Sequence, residues 1–198
     1  MWTVRKFAFS MVLVPALAGG LSWVGGCATA PETPEAKHTL NDEVQDALKI
    51  VKDQDPSLDN FLNNSYAYVV FPSIGKGGAG VSGAYGHGEV FVQGKFAGYA
   101  DVSQGAVGAT LGAETYREII VFENADALND FESNKLEFEA SATAVALKAG
   151  AAASAKYNDK GVAVFTLPTG GLIFDASIGG QQFTYQPAGN GSTTQPTM

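Results

Sequence analysis

From position 78 to position 88 every second residue is small: Gly78, Gly80, Ser82, Ala84, Gly86 and Gly88. The positions on the other side include Val81, Tyr85 and His87, with Glu89 following. A repeat of two is the repeat of a β-strand, whose successive side chains point to opposite faces. A helix is disfavoured, because each glycine in a helix interior costs about 1 kcal/mol relative to alanine. A strand face stripped of side chains leaves two readings open. Another backbone can approach it closely, in tight packing or sharp curvature, or the face forms a groove that a slender apolar ligand fills. Residues 105–113 repeat the pattern, with Ala106, Gly108, Thr110 and Gly112 against Val107 and Leu111.

Other strand-like runs surround these two. Residues 66–71 are aromatic and β-branched and are closed by Pro72, and 89–93, 96–102 and 116–122 read as strands with short connections suited to antiparallel hairpins. Residues 161–167 and 171–178 are expected to pair as a hairpin across Pro168-Thr169-Gly170, with 183–185 packing an aromatic end on the sheet. Before the strands, Thr39 is a candidate cap for a helix with Leu40, Val44, Ala47, Leu48 and Val51 on one side, and Asp55-Pro56 opens a second short helix through Leu62. Asn124 caps another helix through Phe131. Residues 136–155 carry conflicting signals, alanine-rich but alternating, and are read as a strand to about Leu147 followed by a loop. The expected fold is α+β: a mainly antiparallel, strongly bent sheet or partly closed barrel, with N-terminal helices and one short inserted helix.

The only cysteine, Cys27, ends an apolar run that follows Arg5 and Lys6. This is the layout of a secretory signal, and Val24-Gly25-Gly26-Cys27 resembles the lipobox of bacterial lipoproteins. The resemblance implies that 1–26 are removed and that Cys27 carries several acyl chains, at about 0.8 kcal/mol per buried CH2 enough for stable anchoring. Ala28, in place of an aspartate, points to the periplasmic face of the outer membrane. Residues 27–38 are then expected to form a tether, 39–186 the folded domain, and 187–198 a disordered tail. Loss of Arg5 and Lys6 takes the basic count from 12 to 10 against 20 acids, and the formal charge from -8 to -10. So acidic a chain lacks the clustered positive footprint that nucleic acid requires.

Tyr68-Val69-Val70-Phe71-Pro72-Ser73, Lys76-Gly77-Gly78-Ala79-Gly80-Val81-Ser82-Gly83, Tyr85-Gly86 and Gly88 resemble the signature of SYLF domains, a lipid-binding family related to yeast actin-patch proteins. Residues 105–114 and 171–185 resemble that family's second glycine-alternating strand and its closing segment. The resemblance implies a non-enzymatic domain that binds membrane phospholipid, with no cofactor. Eukaryotic relatives also bind phosphoinositides, and the yeast branch binds actin; a periplasmic chain meets neither. A structural or protein-interaction module of the cell envelope is the alternative.

Candidate lipid-binding residues are Lys76, Gly77, Gly78, Gly80, Tyr85 and Arg117. A glycine-flanked lysine can meet a phosphate beside backbone N–H groups, or it can be a solvated turn residue. Arg117 can clamp a phosphate, or pair with Glu114, Glu118 or Glu89. Gly75, Gly77 and Gly80 satisfy Gly-x-Gly-x-x-Gly with Asp101 downstream, but no helix follows to meet a pyrophosphate. Tyr85, His87 and Glu89 share a strand face and could in principle move a proton. No catalytic or metal-binding constellation is expected: Ser73, Ser82 and Ser103 have no evident activating histidine and acid, and no thiol remains beside His38 and His87 for a metal.

Overall fold

The computed structural model describes residues 30–134 and 144–189, and for 174–179 the backbone alone. The expected signal, Cys27, the alternating residues 136–143 and the end of the tail lie outside the described residues.

Helix α1 spans Pro34–Gln54 and begins five residues before the expected cap. Thr33 is the N-cap, its hydroxyl accepting from the Ala36 N–H at 3.1 Å, and Pro34 takes the first helical position, where a missing N–H leaves nothing unsatisfied. Thr39 lies inside the helix and donates to the Glu35 carbonyl at 3.0 Å. The tether is therefore shorter than expected. The five apolar positions read from the sequence are the five that α1 buries. Helix α2, Ser57–Asn63, follows at a corner built on Asp55. That buried carboxylate accepts from the Ser57 hydroxyl at 2.6 Å and from the N–H groups of Ser57 (3.1 Å), Gly150 (3.1 Å) and Ala152 (2.7 Å).

The strand-like runs join into three long strands. β1 is Ala67–Val92, β2 is Lys95–Phe122 and, beyond α3 (Ala125–Glu132), β3 (Ala144–Ala146) and α4 (Ala151–Ser154), β4 is Val162–Pro187. The described sheet has the order β1-β2-β4-β3, with both long pairings antiparallel and β3 parallel to β4. β1 and β2 meet at Gln93-Gly94, where φ values of 50° and 75° give the left-handed two-residue turn that suits the twist of a hairpin. The hairpin expected at Pro168-Thr169-Gly170 does not form. β4 runs on past β2, and the extra residue becomes a bulge opposite Thr115 and Tyr116, where the Thr169 hydroxyl donates to the Thr115 hydroxyl at 2.9 Å. The tail likewise begins later than expected, since Pro187 still pairs with Gly98.

The sheet curls on itself without closing. The Gln93 N–H donates to the Tyr66 carbonyl at 3.0 Å, so the two ends of β1 meet. A Cβ on Gly88 would lie 2.5 Å from the Val70 carbonyl oxygen, and one on Gly86 2.7 Å from that of Ser73. The curl divides the core in two. Alternation sends Val70, Ile119, Val121 and Phe165 toward α1, α2 and α4. It sends Val69, Phe71, Ile120 and Phe122 into a second core, against the curled half of the sheet (Val90, Val102, Phe183) and α3 (Leu128, Phe131). α3 starts at Asn124, whose side chain accepts from the Ala127 N–H at 2.9 Å, as the sequence predicts.

Candidate functional site

The small-residue stripe is packed from Ser82 onward: Ser82, Ala84, Gly86 and Gly88 are buried, and Gly86 and Gly88 face backbone of the first half of β1, so no acyl-chain groove runs along this half, whereas Gly78 is half-buried and Gly80 exposed. What the stripe displays is its opposite side. Val81 and its cross-strand partner Val107 are 64% and 69% exposed, and Leu111 and Leu172 are 70% and 91% exposed. Ala79 pairs with Leu111, and Ala113 with Leu172. Three adjacent strands thus present an outward apolar ridge at the far end of the sheet. The sequence pattern contained these residues, but Val107 and Leu111 were read only as the counterface of a small stripe.

The predicted lipid-binding residues do not converge. Gly77, Gly78 and Gly80 belong to continuous strand with a register shift between Ala79 and Val81, and Gly80 has φ of 77°. Lys76 faces Glu114 across the β1–β2 ladder and lines a cavity of about 240 Å³ with Gln104, Tyr116, Glu118 and Thr166. Tyr85 instead lines a cavity of about 670 Å³ between the sheet and the start of α1, with Leu40, Pro72, Ser73 and His87. Arg117 is half-buried and lines neither cavity, and its Nε has no hydrogen-bond partner among the described residues. None of the three expected acids holds it. Glu118, its chain neighbour, points to the opposite face, Glu114 faces Lys76, and Glu89 accepts from Asn41 at 3.1 Å.

Two polar clusters went unread in the sequence. His87 was grouped with Tyr85 and Glu89 along one strand, but its partner lies across the ladder: Nδ1 is 2.6 Å from the carboxylate of Asp101, which is buried. The Tyr85 ring stands edge-on to the imidazole at 5.0 Å. Counting outward from the Gln93-Gly94 turn is the signal that pairs His87 with Asp101. The second cluster surrounds Glu118, which is 1% exposed. Its Oε2 accepts from Gln181 at 3.3 Å and its Oε1 has no partner. Burial pushes this carboxyl up to about 7, against the lowering effect of the Gln181 hydrogen bond. Burial, followed by the charges of Glu118 and Glu114, likewise raises the Tyr116 phenol. The β2–β4 ladder sets Gln181 opposite Gln104, and the curl of the sheet brings that end to Glu118, of which residue spacing carries no trace.

The family-model match falls on the part of the chain that holds β2 from Ser103, α3, β3, α4 and β4. Residues 103–193 match the family model described as Ysc84, Las17-binding protein actin regulator. Beta cell expansion factor A of Aeromonas veronii is 27% identical over 161 residues, which cover 75% of this chain and 57% of that protein. The chain thus spans little more than half the length of that relative. The family-model match takes in the second glycine-alternating strand and the closing segment on which the resemblance rests, so residues 103–193 are similar to the SYLF (Ysc84) family.

Proposed function

We propose that this domain binds phospholipid membranes, without catalysis, by seating the outward ridge of Val81, Val107, Leu111 and Leu172 in the bilayer, while lipid on Cys27 anchors the chain to the periplasmic face of the outer membrane. The exposure of that ridge is the observation that carries the reading. Clustered large apolar side chains on a water-facing sheet mark a contact surface, and fully removing each from water contributes about 1.5–3 kcal/mol. A surplus of acids over bases makes a neutral bilayer a better match than an anionic one. The family-model match over residues 103–193 and the lipobox-like Val24–Cys27 support the lipid and anchor parts of the reading. The reading assigns no chemistry to His87 and Asp101, because no serine hydroxyl bonds the imidazole among the described residues.

Co-sedimentation of residues 28–198 with phosphatidylcholine vesicles tests it, since this chain lacks the apolar run and Cys27 and keeps the ridge. Binding is expected, and Leu111→Asp with Leu172→Asp should weaken it at least tenfold with an unchanged circular dichroism spectrum. A chain that ignores vesicles, or a double variant that binds as well as its parent, would favour the protein-interaction alternative.

A further inference from the structure

The cavity beside Glu118 lies apart from the apolar ridge. Lys76, Glu114, Tyr116 and Glu118 line it, and these even-numbered positions alternate with the exposed odd-numbered Val81, Val107 and Leu111. The cavity has a built polar floor. Glu118 is buried and its Oε1 has no partner, while Gln181, 2% exposed, fixes the other oxygen at 3.3 Å. A buried acceptor without a donor is costly, and folded proteins rarely keep one without a use. Glu114 supplies a second carboxylate and Tyr116 an aromatic wall, while Gln104 and Thr166 add neutral hydrogen-bonding groups. Ala144, on the short edge strand β3, closes one side.

We propose that this cavity is a binding site for a primary ammonium group, held by a charge-assisted hydrogen bond to Glu118 Oε1 and lying against Tyr116. The donor set selects this chemistry. Two carboxylates disfavour an anion, and a divalent cation would need more oxygen or nitrogen ligands than converge here; no cluster of three acidic, histidine or cysteine ligands occurs among the described residues. An ammonium needs only an acceptor or two and gains further from an aromatic face. About 240 Å³ accommodates an aminoethyl group and excludes a nucleotide. Its source is either the ethanolamine headgroup of a lipid or a free amine. Among the described residues, the charged or titratable groups facing the site are Lys76 from β1 and Glu114 and Tyr116 from β2; β4 contributes the neutral Thr166 and Gln181, and β3 contributes Ala144. Because burial holds the Glu118 proton to about pH 7, the ammonium must displace that proton, and binding strengthens as pH rises through neutrality.

The test is calorimetric titration of the full chain, in neutral detergent, with ethanolamine and with choline, whose quaternary nitrogen has no N–H to donate. Ethanolamine is expected to bind saturably and at least tenfold more tightly than choline, with affinity falling about tenfold from pH 8 to pH 6. Glu118→Gln should weaken it at least tenfold and abolish the pH dependence. Ala144→Leu fills the cavity without touching the carboxyl and should block binding equally, so a folding defect in one variant does not decide the matter. Equal affinity for both amines, or full affinity in a folded Glu118→Gln chain, overturns the site. Adding phosphatidylethanolamine to phosphatidylcholine vesicles separates the sources. A gain in sedimentation that Glu118→Gln cancels assigns the lipid headgroup, and ethanolamine binding without that gain assigns a soluble amine. In the chain lacking residues 1–27, Leu172→Asp should weaken vesicle binding yet keep the ethanolamine titration, so the ridge and the cavity succeed or fail separately.

Discussion

Glu118 keeps its proton far above the ordinary carboxyl range because its charged form has lost water and gained only the Gln181 amide. Between its unfolded value near 4.5 and its folded value of about 7 the native state holds a proton that the unfolded chain has released. Stability conferred below that window is therefore lost as pH rises through it, by up to about 3 kcal/mol, and is flat above. Glu118→Gln removes the titration, and the variant is expected to unfold at higher urea than the parent at pH 8 while differing little at pH 5. Parallel pH profiles for the two chains would refute this account. Asp55 has the opposite balance. Burial raises its carboxyl, but the hydrogen bonds from Ala152, Ser57 and Gly150 together outweigh burial and draw it below the usual range. Neither behaviour was legible in the sequence. Asp55 announced itself only as the residue before a helix-opening proline, and Glu118 only as a possible partner of Arg117. What sets each apart is a donor far along the chain, at Gly150 and Ala152 or at Gln181.

Among the elements, α1 and the strands show where local pattern suffices. The buried stripe of α1 and the cap at Asn124 are short-range physics and stand where the sequence puts them, while Pro56, read as the first helical residue of α2, lies one position before it. The start of α1 was misplaced because Thr33-Pro34 and Thr39 both offer helix-opening chemistry, and the earlier cap gains more helix. Pro168-Thr169-Gly170 was misread because turn residues opposite an uninterrupted strand can be absorbed as a bulge. The alternating glycines were legible as strand, but whether their face was open or filled depended on the curl of β1. That curl makes a sharp contrast testable. Gly88→Ala drives a methyl to 2.5 Å from the Val70 carbonyl oxygen and is expected to cost about 2–4 kcal/mol, whereas at Gly83 the nearest atom, the Gln104 carbonyl oxygen, is 3.6 Å away and Gly83→Ala should stay within about 0.5 kcal/mol. Denaturant midpoints of the two variants measure the difference, and equal costs would mean that the halves of β1 are not in backbone contact.

At the scale of the molecule, the two sides of one strand pattern do different jobs: the even positions let the sheet bend onto itself, and the odd positions carry the apolar ridge outward. On the proposed reading, a ridge of valine and leucine on an acidic chain meets a neutral bilayer by exclusion from water, which salt does not screen. Sedimentation with phosphatidylcholine vesicles is thus expected to hold steady, or strengthen, from low to moderate salt. A steep loss of binding with salt would instead assign the contact to charges. The antiparallel pairings set an order of assembly as well. β1 and β2 can zip outward from Gln93-Gly94, each step closing a small loop, but β4 must find Gly98 with Pro187 and Phe122 with Val162 across long stretches of chain. Until β4 is in place the chain therefore carries β2 as a naked strand edge beside a half-built core that waits for Phe183, and a copy truncated before β4 would be an adhesive, aggregation-prone species instead of a smaller working domain.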